Sequence, residues 1–250
     1  MFKYAKTVCI FIAWLMTFPA GTCDVFAGGM LIGPGGALLT PSAELPVDRQ
    51  MRFGIGKINA PFAFIEGPQT KENYLFYTSL VFLPRFEITL LITSAPGKPG
   101  NDGSNVYKDA AVFAQFYLLP EKEYLPAVAL GAYDFYSFSF YNALFVVMTK
   151  NVKIGLPDPV ILNLGYGVDW INKHYGDTAG DRYFPVPHQW VGFFGSVEVP
   201  VHKRLSAVFE HDSEKFNSGL RVSLFEHVEI LAALLEWKTF SGNLSFIFEI

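Results

Sequence analysis

Apolar side chains alternate with polar or very small ones along most of this chain from residue 51 onward. Between 159 and 170, Leu162, Leu164, Tyr166, Val168 and Trp170 fall on one face. Asn163, Gly165, Gly167 and Asp169 fall on the other. Phe86, Ile88, Leu90 and Ile92 oppose Glu87, Thr89 and Thr93, and Leu220, Val222 and Leu224 oppose Gly219, Arg221 and Ser223. Successive side chains of a strand point to opposite faces, so this period predicts strands with one greasy side. Runs rich in β-branched and aromatic residues, separated by Gly, Pro, Asn and Asp, place twelve strands at 51–58, 74–83, 86–94, 110–118, 126–134, 141–149, 159–170, 189–199, 204–212, 217–224, 228–237 and 240–249.

The second face of these strands is rich in Gly, Ser, Asn and Ala, with few charges. A sandwich would show water a face of Lys, Glu, Thr and Gln, whereas small side chains suit the inside of a narrow barrel. The expected fold is all-β: an antiparallel, up-and-down transmembrane β-barrel of about twelve strands over residues 51–250. A secreted, carbohydrate-binding β-sandwich is the alternative. Connections at 83–86, 118–126, 224–228 and 237–240 are short, whereas 59–73, 95–109 and 171–188 are long, the asymmetry of outer-membrane barrels. Tyr74, Tyr117, Tyr133, Tyr141, Trp170, Trp190 and Trp237 lie near strand ends, where they serve either as interfacial girdles or as core residues. The last strand has apolar residues at 244, 246, 248 and 250, and reads as the one that closes the barrel on the first.

Composition sharpens this picture. The chain is 51% hydrophobic with 25 Phe and 12 Tyr, yet no stretch after residue 27 is apolar for long enough to cross a membrane as a helix. Residues 1–27 have two early lysines, an apolar run from Thr7 to Phe18 and Val25-Phe26-Ala27, which together read as a secretory signal peptide cleaved before Gly28. Both cysteines, Cys9 and Cys23, lie within it, and the residues before Cys23 lack the Leu usual at a lipid-attachment site. The rest carries 17 basic and 22 acidic residues, which argues against a nucleic-acid partner. Residues 28–50 are Gly/Pro-rich but apolar at Met30, Leu31, Ile32, Leu38 and Leu39, so they are expected to plug the lumen or line its rim as a leader.

Four stretches, in order, carry a family resemblance. They are Gly35-Gly-Ala-Leu-Leu-Thr-Pro-Ser-Ala43 with Arg52-Phe-Gly-Ile-Gly56, then Phe82-Leu-Pro-Arg-Phe-Glu87, then Leu118–Gly131 continuing to Asp134-Phe135, and last Ala207–Asp212 with Asn217-Ser-Gly-Leu220. In these the chain resembles the YjbH family, associated with bacterial exopolysaccharide production. The resemblance implies an outer-membrane barrel of Gram-negative cells that assists exopolysaccharide or capsule production, export or surface assembly. Its implied partners are outer-membrane lipid, polysaccharide and other polysaccharide-export proteins. Many members are longer, so this chain looks like a single-barrel version, and His211 stands where the family usually has Tyr.

Little in the chain suggests catalysis. The histidines at 174, 188, 202, 211 and 227 lack metal-ligand spacing, so neither metal nor cofactor is expected. Gly33-Pro-Gly-Gly36 lacks the strand–helix setting of a phosphate loop. His211 and Ser213 share the spacing of outer-membrane acyl hydrolases, with Glu210 or Glu229 as a possible orienting group, but fall in an expected hairpin tip. Glu87, Glu198 and Glu210 could face one lumen as glycosidic carboxylates. A charge network with Arg52 or Arg221 is preferred, because a buried carboxylate needs a partner. The expectation is therefore a protein that is not an enzyme, with Glu87, Glu198, Glu210 and Arg221 lining the lumen.

Overall fold

The computed structural model describes residues 28–59, 72–83, 85–96, 106–134, 142–156, 158–168, 190–225 and 227–250. Residues 1–27, expected to be a signal peptide, and the aromatics Tyr141 and Trp170 lie outside them. Twelve strands follow one another: β1 (Gln50–Asn59), β2 (Glu72–Leu83), β3 (Phe86–Pro96), β4 (Val106–Leu119), β5 (Ala127–Tyr133), β6 (Ala143–Val152), β7 (Val160–Val168), β8 (Gly192–His202), β9 (Leu205–His211), β10 (Phe216–Leu224), β11 (Val228–Leu235) and β12 (Thr239–Glu249). Each pairs antiparallel with its sequence neighbours, and β12 closes on β1 with Phe248 opposite Met51 and Phe246 opposite Phe53. All twelve expected strands are present, displaced by a few residues at their ends, and the sandwich alternative is excluded by closure.

The alternation does what it foretold. Leu162, Leu164, Tyr166 and Val168 point out, as do Phe53, Ile55, Phe76, Leu90, Ile92, Leu130, Leu220 and Phe246. An apolar surface running round a closed barrel leaves no backbone group unpaired toward lipid. One turn departs from expectation. The short connection at 236–238 joins β11 to β12, and so lies at the end of the barrel that carries the long loops.

Small inward residues have a specific purpose. Gly54 pairs with Tyr77, Gly131 with Phe145 and Gly165 with Phe194 on the adjoining strands. At each glycine an added Cβ would lie between 2.1 and 2.2 Å from the partner ring. The ring therefore lies across the bare glycine and fills the space its missing side chain leaves, as aromatic residues do beside strand glycines. At these positions the interior is packed with side chains rather than open as a pore.

Candidate functional site: a plugged lumen and its mouth

Residues 28–44 lie inside the barrel, and Leu45, Val47 and Asp48 are exposed where the chain leaves it toward β1. Met30, Leu31, Ile32, Leu38 and Leu39 are fully buried. The segment has no regular structure beyond two isolated bridges, Gly29 with Gly35 and Gly36 with Pro41. The amides of Met30, Leu31, Gly33, Gly36, Ala37 and Ser42 donate to carbonyls of the plug itself, and the remaining ones need partners from the wall, since a buried amide left unpaired costs about 1–3 kcal/mol.

The wall supplies those partners with the charged residues that the strand period turns inward. Glu210 on β9 accepts from the amides of Leu38 (3.0 Å), Leu39 (2.9 Å) and Thr40 (3.1 Å), from the Thr40 hydroxyl and from Asn217. Three successive amides round one carboxylate make an anion-binding nest, here filled by the protein's own side chain. Glu87 on β3 accepts from the Gly35 amide (3.1 Å) and from the Ser79 and Tyr117 hydroxyls (2.6 and 2.8 Å). Glu229 on β11 accepts from the Gly29 amide at 2.9 Å.

Arg221 on β10 takes the complementary part. Its Nε donates to Glu198 at 3.2 Å, and Nη1 donates to Glu229 at 3.1 Å and to the Gly29 carbonyl at 3.0 Å. Nη2 donates to the carbonyls of Gly36 and Ala37. The fork of the guanidinium ties two wall carboxylates and three plug carbonyls together, which a lysine could not do. A Cβ added at Gly28 would lie 1.9 Å from this guanidinium, so the plug has to be bare there.

All four residues singled out from the sequence thus point inward, at 2–8% exposure. Glu198 and Arg221 meet directly. Glu87 and Glu210 hold different parts of the plug from opposite sides of the strand ring. Sequence reasoning missed the network role of Glu229, although it shares the face of buried Leu231 and Ala233 on β11. It also missed Gln115, which donates to the Ser42 carbonyl, and Asn243, which donates to that of Met30.

Aromatic residues gather toward the long-loop end. Tyr133 and Trp190 meet edge-to-face at 4.7 Å, with Phe113, Phe145 and Phe194 beside them. The Trp190 indole N–H donates to the Leu39 carbonyl. Tyr117, Tyr133 and Trp190 are therefore luminal, whereas Tyr74 and Trp237 stay on the outside. Strand parity explains this: Tyr117 shares a face with Gln115 and Phe113, and Tyr133 with Gly131 and Ala129.

At the opposite, short-turn end a cavity of about 280 Å³ opens beneath the plug, with Glu44, Glu198, Arg221, Glu229, Ser206 and Ser223 in its wall. Burial pushes the Glu44 carboxyl up to about 7, and the Glu198 charge adds to the effect. Among the described residues no group of three or more His, Cys, Asp or Glu is placed to hold a metal ion.

His211 and Ser213 do not form a pair. The imidazole lies on the outward register of β9 beside Phe209 and packs tilted against Phe216 at 4.6 Å between ring centroids. The Ser213 hydroxyl donates to the Asp212 carbonyl, and the Asp212 carboxylate caps the turn by accepting from the Glu214 and Lys215 amides.

The model of the YjbH family, described as exopolysaccharide biosynthesis protein YbjH, matches residues 30–227. That span runs from the plug through β10. Comparison with curated proteins gives no match. Among solved structures, the chain is similar to an outer membrane phospholipase A from Escherichia coli, with 11% identity and a TM-score of 0.39, over 84% of this chain and 96% of that one.

Proposed function

This chain belongs to the YjbH family, and on that premise we propose that it is a plugged outer-membrane barrel that assists production, export or surface assembly of an exopolysaccharide or capsule, without catalysing a reaction itself. The family match over residues 30–227 is the observation that carries the role. The apolar outer face and the closed hydrogen-bonded ring support the membrane setting, with lipid as the immediate partner. In this reading residues 1–27 are the export signal of a Gram-negative cell. Polysaccharide and other polysaccharide-export proteins are then the partners the barrel works with, and nucleic acid is not among them.

A non-catalytic role fits the use of the luminal carboxylates. Glu87, Glu210 and Glu229 accept from plug amides, and Glu198 is tied to Arg221, so these groups hold the plug. The test is a deletion strain complemented with the intact gene. Surface polysaccharide should fall or change in texture on deletion and recover on complementation. Unaltered polysaccharide in the deletion strain removes the role. A heat-modifiable band in outer-membrane fractions is the expected mark of the barrel, and a soluble periplasmic pool contradicts the location.

A further inference from the structure

The plug leaves a cavity open at the short-turn mouth, and its wall is chemically mixed. Its floor is the Glu198–Arg221–Glu229 cluster, two carboxylates sharing one guanidinium. Around the rim stand Asp158, His202, Lys203 and Arg204. Between them lie the hydroxyls of Ser206 and Ser223 and the apolar side chains of Ile161, Val228 and Ile247. Glu198 uses only its Oε2 on Arg221, and neither serine hydroxyl makes a side-chain hydrogen bond among the described residues. Donors and acceptors therefore face the space uncommitted, beside patches of hydrocarbon.

Ligand classes can be compared against that wall. A metal ion has no cluster of ligands there among the described residues. A phosphate or polyanion would face Glu44, Glu198 and Glu229 with the Arg221 guanidinium already committed to carboxylates and carbonyls. A lipid tail would strand these charges in hydrocarbon. A sugar ring matches both features, because its hydroxyls donate and accept while its C–H face is apolar. The volume of about 280 Å³ is at the small end for ligand pockets, which suits one or two sugar rings rather than a long chain.

We infer that the short-turn mouth is a subsite for the end of an oligosaccharide, recognised by the Ser206 and Ser223 hydroxyls, the free oxygen of Glu198 and the basic rim at Lys203 and Arg204. This deepens the proposed role, on which it rests, by naming where the barrel first meets its polysaccharide. Access is from the side where short turns cluster, the periplasmic side in outer-membrane barrels.

The test uses the full chain refolded in detergent micelles. It is titrated calorimetrically with short oligosaccharides released from the host strain's own exopolysaccharide by mild acid. The wild-type protein should bind, and Ser223→Phe, which fills the cavity, should bind at least about tenfold more weakly. Lys203→Ala, on the exposed rim, should weaken binding by a few-fold, and Lys238→Ala at the opposite end should leave it unchanged. Heat-modifiable migration certifies each variant as folded, and Lys203→Ala carries the test if Ser223→Phe does not fold. No binding by the wild-type protein overturns the inference, as does equal binding by wild type, Ser223→Phe and Lys203→Ala. Binding that these variants abolish, in a strain whose deletion leaves polysaccharide normal, supports the subsite and overturns the proposed role instead.

Discussion

The two ends of the lumen solve the same problem, filling a barrel, with different balances of aromatic packing and charge. Toward the long loops the wall packs Phe113, Tyr133, Phe145, Trp190 and Phe194 against the plug, with the Trp190 indole N–H on the Leu39 carbonyl and one carboxylate, Glu210, on the Leu38, Leu39 and Thr40 amides. Toward the short turns it uses Arg52, Arg221, Glu198, Glu229 and Glu87, and leaves a cavity. Aromatic packing is non-directional and tolerates small shifts, whereas a guanidinium fork fixes register but is costly if one partner goes. The aromatic end chiefly seals, with Glu210 as its one carboxylate anchor on the plug, and the charged end chiefly positions.

Four experiments break or sharpen that contrast, beginning with the largest effect. Removing Phe246–Ile250 deletes the β12 residues that pair with Arg52 and its neighbours at the short-turn end. That leaves the ring unclosed, and no heat-modifiable band should form in outer-membrane fractions; normal assembly would overturn the barrel's dependence on this seam.

Arg221→Ala should destabilise the refolded barrel by about 3–5 kcal/mol, because Glu198 and Glu229 lose their shared cation while buried. The check is the urea midpoint in micelles. A loss of under about 1 kcal/mol would show that the charged end does not fix the plug. At the other end, Trp190→Phe keeps much of the packing but orphans the Leu39 carbonyl, for an expected cost of about 1–3 kcal/mol. If this loss exceeded that of Arg221→Ala, the assignment of sealing and positioning would be reversed.

The smallest effect is a pH dependence at the mouth. Glu44 titrates near 7 in the folded protein against 4.5 for an unperturbed carboxyl. The folded state therefore binds the proton more tightly, and this group's contribution to stability falls as pH rises from about 4.5 through 7. Glu44→Gln should be more stable relative to wild type at pH 8 than at pH 5, by on the order of 1 kcal/mol. A difference in urea midpoints that stays flat across this range contradicts the burial of Glu44 as a charge.

The strands were legible because lipid and lumen impose a strict period of two, and Leu162–Val168 on β7 shows the rule plainly. Inward placement of Glu87, Glu198, Glu210 and Arg221 follows from the same parity. What those groups hold did not follow, since Glu210 meets Leu39 across 171 positions of chain and no local pattern encodes that meeting. The aromatics Tyr117, Tyr133 and Trp190 show the converse case. Position near a strand end leaves girdle and core equally open, and strand parity decides for the core by turning the two tyrosines inward. The cavity at the mouth is invisible in the sequence because its wall draws on β6 to β12 and the plug together.

One consequence concerns order in time. The plug precedes β1 in the chain, and both its ends, Gly28 beside Arg221 and Arg49 before Gln50, lie at the same short-turn mouth. The seam between β1 and β12 joins the first strand to be made with the last. Residues 28–48 are thus synthesised before any of the wall that will surround them, and the ring has to be drawn shut round a stopper already waiting at its root.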